Sequence, residues 1–227
     1  MSDAYVYIPP ADHGLDIIHQ DADILVLSKP AGLLSVRGRN PTPENQLGEA
    51  LDARVQREFP DARIVHRLDM DTSGLMVMGL SADSHRHLSI QFEKRKTEKA
   101  YVALVWGMPD NDSGRVDLPV RCDWERRPRQ IVDHEQGKAA QTDWTVMERG
   151  TPKGVDTSRV VLHPITGRTH QLRVHMAEIG HPILGDDFYA HEDAYKAAER
   201  LCLHAQDLSL YHPSSNEFMH FHSPCPF

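Results

Sequence analysis

The sequence predicts an α+β fold around a mixed, largely antiparallel sheet flanked by helices. Three observations carry this: many short apolar runs of strand length, a few amphipathic stretches scattered among them, and no regular strand–helix alternation. Asp23–Ser28 (DILVLS) is β-branched and apolar and is closed by Lys29-Pro30-Ala31-Gly32, so it reads as a buried strand ending in a turn. Leu33–Pro43, rich in Gly, Pro and Arg, is expected to be an exposed loop. Leu47, Leu51, Val55 and Phe59 recur at four-residue spacing, predicting a helix over Gln46–Phe59 that Pro60 stops. Leu75–Leu80 reads as a second buried strand. Ser81 then stands where an N-cap belongs, before a helix to about Arg95 with Leu88 and Phe92 inward. Strands are expected at Ala100–Trp106, Gly114–Val120, Ala139–Glu148 and Ser158–His163, separated by turn clusters such as NDSG and RGTPKG. Thr169–Ile179 reads as a helix with Leu172, His175, Met176 and Ile179 on one face and Gly180 at C′. Leu201–Leu210 and Glu217–His222 are the closing strands.

Composition is that of a soluble globular protein. The start, MSDAYVYIPPADHG, lacks a basic and then apolar leader, and no apolar run approaches the roughly 18 residues of a membrane span. Cys122, Cys202 and Cys225 form neither a disulfide framework nor a CxxC pair, which points to a reducing cytoplasm. The formal charge of -8 argues at first against a polyanionic partner. Its distribution weakens that objection. Residues 1–28 hold only acids, whereas Lys29–Arg39 carries Lys29, Arg37 and Arg39 with no acid, and Arg159–His175 carries Arg159, Arg168 and Arg173 with none. Local fields, not the sum, steer a nucleic acid.

Other chemistries fare poorly. His163, His170, His175 and His181 lie close in sequence, but there is no HExxH, and a helix would send His170 and His175 in diverging directions, so no metal site is assigned. Ser73 has no G-x-S-x-G elbow. Thr166-Gly167-Arg168-Thr169 leads directly into a helix and puts a guanidinium beside its N-terminus, a weak anion-site signal. In VHRLDMDTSG (65–74) two acids stand two residues apart. Asp71-Thr72-Ser73-Gly74 is turn chemistry, which gives Asp71 a structural role. Asp69, between apolar Leu68 and Met70 and entering a buried strand, needs a partner or solvent to remain ionised, and Arg168 is a ready one.

Four segments then converge. VHRLDMDTSG resembles the H-R-L-D-x-x-T-S-G motif of RluA-type pseudouridine synthases, and KPAGLLS (29–35) resembles their K-P-x-G-L strand end. KAYVALVWG (99–107) and HPITGRTHQLRVHM (163–176) resemble that family's Y-x-A-x-V-x-G and P-x-T-G-R-x-H-Q-[IL]-R-x-H segments, in the family's order. CDWERRPRQ (122–130) with GKAAQT (137–142) is most similar to the branch acting on both 23S rRNA and tRNA anticodon stem-loops.

The resemblance implies a pseudouridine synthase fold with an active-site cleft across the sheet. Residues 1–22 would be an N-terminal extension and 23–227 one catalytic domain without an S4-like RNA-binding domain. It implies a cofactor-free isomerisation of uridine within RNA. Asp69, Tyr101 and Arg168 would form the catalytic set, Arg168 keeping Asp69 charged and Tyr101 stacking on the uracil. Asp69 could add to the ring, attack C1′ or remove a ribose proton, and each route uses an ionised carboxylate. Arg67 matches an arginine that fills the space left by a flipped base. His66, Lys29, Arg37, Arg39, Arg126, Arg127, Arg129, Thr169 and His170 are the remaining expected RNA contacts, and Leu172 and Val174 the expected pocket wall. A monomer with no membrane or obligate protein partner is expected. The competing readings are a synthase for other 23S rRNA uridines, a catalytically silent RNA binder, and a histidine-rich metallohydrolase.

Overall fold

The structure, a computed structural model, describes residues 6–38, 42 and 45–227. In chain order the elements are β1 (Asp16–Gln20), β2 (Ile24–Lys29), α1 (Leu51–Glu58), β3 (Arg63–Ile64), β4 (Ser73–Gly79), α2 (Ala82–Glu93) and β5 (Glu98–Trp106). There follow β6 (Ser113–Asp117), β7 (Val120–Cys122), β8 (Gln130–Val132), β9 (Gln141–Gly150), β10 (Thr157–Pro164), α3 (Gln171–Glu178), α4 (Glu192–Lys196), β11 (Leu203–Tyr211) and β12 (Phe218–His222). They fall into two compact units. The first runs to Thr97 and includes Asp207–Ser223; the second comprises Glu98–Gln206 and Pro224–Phe227.

In the first unit the strand order is β1-β2-β4-β11, with β12 on β11 and β3 on β4. β1–β2, β2–β4, β3–β4 and β11–β12 are antiparallel. β4 is buried at every residue, so its sequence reads as a continuous apolar run rather than an alternation. Ile24, Val26, Leu75, Val77, Leu88, Leu208, Leu210 and Phe221 form one core cluster. The Ser81 cap is observed: its hydroxyl accepts the Ser84 N–H at 3.1 Å. α2 stops at Glu93 because Arg95 takes a left-handed conformation (φ 55). α1 begins at Leu51, later than the expected Gln46, because the Leu51 and Asp52 N–H groups donate to the Leu34 and Ser35 carbonyls (2.8 and 3.3 Å). Residues 16–20, within the expected extension, are β1, an edge strand too exposed to show an inside–outside alternation.

In the second unit the order is β11-β5-β10-β9-β6, with β5–β10, β10–β9 and β9–β6 antiparallel. The expected strand 114–120 is split by Leu118-Pro119 into β6 and β7, and β7 pairs with β8 in a separate hairpin. Ala103, Val105, Val160 and Leu162 of the sheet pack with Leu172 and Met176 of α3. That helix starts two residues later than expected because His170 is left-handed (φ 51, ψ 17). Gly180, φ 87, ends it as expected.

Candidate active site

In the first unit, residues 65–69 cross from β3 to β4 without a regular hydrogen-bond ladder. Val65 packs on the core cluster, Leu68 is 7% exposed, and the His66 ring stacks on Phe92 at 4.4 Å with Nε2 accepting the Val77 N–H at 3.1 Å. His66 is thus held by packing and one backbone bond while remaining partly exposed. Arg67 is exposed and Asp69 partly exposed. The turn runs over Asp69–Thr72, closed by the Thr72 N–H donating to the Asp69 carbonyl at 3.2 Å. It therefore lies two residues before the expected position, and Ser73 and Gly74 already belong to β4.

Lys29 is the largest correction. It is 1% exposed, and its Nζ donates to the Pro30, Leu33 and Met70 carbonyls at 2.8, 2.7 and 2.8 Å, so it cannot serve as a phosphate contact. Ser35, 4% exposed, donates from Oγ to the Leu68 carbonyl at 2.7 Å and accepts the Leu68 N–H at 3.1 Å. Arg37 pairs with Asp52 at 3.1 Å and also reaches Gln56 on α1. Arg39 lies outside the described residues. The cationic run 29–39 is thus engaged internally wherever it is described.

In the second unit, Tyr101 stands on β5 opposite Leu162 and packs partly buried on the core. Arg168 is half-buried; its N–H donates to Gln171 Oε1 at 3.0 Å and its Nε to the Ala139 carbonyl at 3.2 Å. Gln171 also accepts from Thr166 Oγ1 and donates to the Gln141 carbonyl and Thr142 Oγ1, which locks the loop before α3. Thr169 is exposed, but His170 is 8% exposed, bonds Tyr189 Oη through Nδ1 at 2.7 Å and stacks on Phe188. Its burial removes it from the expected RNA contacts. Leu172 is core, as is Val174, which packs with Val120 and Ala140. Val174 also lines a cavity of about 350 Å³ together with Asp123, Arg126, Arg129 and Tyr189.

Arg126 is exposed and pairs with Asp123 at 2.7 Å. Arg127 lies 3.9 Å over the ring of exposed Trp124, whereas Arg129 donates to the Phe188 carbonyl. Arg173, counted in the sequence as a local cation, is 2% exposed and forms a forked pair with fully buried Asp186 (2.8 and 2.6 Å), with a third bond to Asp187 at 2.8 Å. Its partners lie 13 and 14 residues further on, out of reach of local charge counting.

The histidines singled out in sequence do not converge on a metal. His175 bonds Thr142 Oγ1 and the Leu118 carbonyl, and His181 the Trp106 carbonyl. Among the described residues Asp21, Asp23 and His212 place ligand atoms within 4.8 Å of one another. However, His212 Nδ1 accepts the Ser215 N–H at 3.2 Å, which leaves a proton on Nε2, directed at Asp21 at 3.2 Å. That is a hydrogen-bonded cluster, not a ligand set.

A family model described as RNA pseudouridylate synthase matches residues 23–178. The chain belongs to the RluA-type RNA pseudouridine synthases, enzymes that isomerise uridine within RNA, as the four motifs imply. It is 49% identical over 221 residues to the dual-specificity RNA pseudouridine synthase RluA of Escherichia coli strain K12, covering 97% of this chain and 98% of that protein. Identity to RluA of Vibrio vulnificus is 48% over 222 residues, covering 97% and 87%. Among solved structures, human RNA pseudouridylate synthase domain containing 1 matches with a TM-score of 0.80 at 31% identity, over 97% of this chain and 87% of that one.

Proposed function

We propose that this enzyme converts specific uridines to pseudouridine in more than one structured RNA, a 23S rRNA hairpin and a tRNA anticodon stem-loop, with Asp69 as the catalytic carboxylate. The observation that carries the dual specificity is the near-half identity, along 97% of the chain, to proteins named dual-specificity RNA pseudouridine synthases. In the reaction the C1′–N1 bond breaks, the uracil turns, and C5 joins C1′. The C5 proton leaves and N1 gains one, so substrate and product are isomers and no cofactor is assigned.

Asp69 acts at the reacting nucleoside, and Arg168 is a further member of the catalytic set. Tyr101 stacks on the uracil. Extruding the base costs a few kcal/mol and one aromatic stack returns about 1–3 kcal/mol, so a second contribution is needed. Arg67, exposed beside Asp69, supplies it by filling the vacated space. Exposed Arg126 and Arg127 take phosphates, which positions the RNA without reading its sequence. We place the enzyme in the cytoplasm, as a monomer; no described helix is long and apolar enough to cross a membrane.

The test is to incubate the protein separately with the two stem-loops, digest the RNA and quantify pseudouridine by chromatography. Product in both supports the proposal. Product in one alone replaces it with a single-substrate synthase, and product in neither refutes it.

A further inference from the structure

We propose that Ser35 and Lys29 form a positioning brace that fixes the backbone on both sides of Asp69, so that turnover, rather than RNA affinity, depends on them. The inference rests on Asp69 being the catalytic carboxylate. Ser35 Oγ takes both polar backbone groups of the residue before it, donating to the Leu68 carbonyl (2.7 Å) and accepting the Leu68 N–H (3.1 Å). A hydroxyl has one proton to give, and the Leu68 carbonyl at 2.7 Å is a nearer and stronger acceptor than Met76 Sδ at 3.6 Å, so this pair of bonds fixes how the Leu68 backbone is turned. Lys29 Nζ takes the carbonyl of the residue after it, Met70, at 2.8 Å.

The brace is itself anchored within the first unit. Lys29 ends β2, in register with Gly74 of β4, and its bonds to the Pro30 and Leu33 carbonyls hold the loop that carries Ser35. The Ser35 carbonyl receives the Asp52 N–H at the start of α1. Segment 65–69 has no ladder of its own. These side-chain bonds therefore do for Leu68 and Met70 what strand pairing does elsewhere. Both groups are buried, so water cannot replace them at no cost. The Asp69 side chain, by contrast, stays partly exposed.

Displacing a reacting group by about 1 Å costs on the order of 10²-fold in rate. Ser35→Ala is therefore expected to lower the single-turnover rate on a stem-loop by about 10²-fold with RNA affinity unchanged. Ser35→Thr, which keeps the hydroxyl, is expected to recover most of that rate. Lys29→Met, which keeps the stem and loses the donors, is expected to show the same split between rate and affinity. Ser35→Ala turning over like the wild type overturns the proposal, as does a rate loss matched by an equal loss of affinity. If Ser35→Ala fails to fold, Lys29→Met decides by the same two readouts; unfolding of both assigns the pair to stability alone and also overturns it. Asp69→Asn run alongside separates the failures. An active Asp69→Asn removes the assignment of Asp69, whereas an inactive one beside a fully active Ser35→Ala removes only the brace.

Discussion

Replacing Arg173 with Met tests how the segment before and within α3 is held. Arg173 and Asp186 are 2% and 0% exposed and share two bonds of 2.8 and 2.6 Å. Asp186 Oδ1 also accepts the Phe188 and Tyr189 N–H groups at 2.9 and 3.0 Å. Those two residues then hold the surroundings: Tyr189 Oη bonds His170 Nδ1 and accepts the Gln130 N–H, and the Phe188 carbonyl takes Arg129. At about 4 Å between charge centres and an effective dielectric of 20, the attraction is about 4 kcal/mol. Breaking one side of a buried pair typically costs about 3–5 kcal/mol, because the other charge stays buried and uncompensated. Arg173→Met is thus expected to lose about 3–5 kcal/mol in urea unfolding. Exposed Arg115, paired with Asp143, is the control, and Arg115→Met is expected to leave the urea midpoint essentially unchanged. A loss below about 1 kcal/mol for Arg173→Met would refute the reasoning, since it would mean the pair is no better than a surface one.

Three further outcomes are expected. Burial pushes the His175 imidazole below its ordinary value of 6.5, with the Leu118 carbonyl partly opposing. The unfolded chain therefore binds a proton that the folded chain refuses, and stability should fall as pH drops below about 6.5, by up to about 1.4 kcal/mol per pH unit. His175→Gln should flatten that slope in urea titrations at pH 5–7, and an unchanged slope sinks the assignment. Burial pushes the Cys202 thiol up to about 11, so a thiol reagent at pH 8 should leave it unmodified in the native protein and label it after unfolding. Native labelling of Cys202, read by peptide mass, would contradict this. Thr72 Oγ1 is buried with no hydrogen-bond partner among the described residues, so Thr72→Val is expected to raise stability by up to about 1–3 kcal/mol. A destabilised Thr72→Val would show that the hydroxyl has a partner after all.

Where local chemistry decides, the sequence was informative. Ser81 caps α2 through a bond three residues away, and Gly180 closes α3 with the positive φ that glycine allows. The start of α1 was not legible, because its first N–H groups are met by carbonyls of a loop some 17 residues earlier, Leu34 and Ser35. The same limit explains Lys29. In sequence it is a cation in an acid-free stretch, whereas in the fold three carbonyls surround its ammonium, one of them 41 residues away. Arg173 misled in the same manner until Asp186 and Asp187 folded onto it. His66 and His170 carry rings that stack on Phe92 and Phe188, contacts that no spacing rule announces. The Asp69 segment was readable as a motif. Ser35 stood inside a quoted motif, yet its role depends on reaching Leu68, 33 residues on.

The central claim is that Asp69 does the chemistry on a uridine held in folded RNA. Its most direct test compares wild type and Asp69→Asn for single-turnover pseudouridine formation on one stem-loop, with RNA binding measured on the same samples. Asp69→Asn is expected to bind the stem-loop and form no pseudouridine. Pseudouridine formed by Asp69→Asn at the wild-type rate would contradict it.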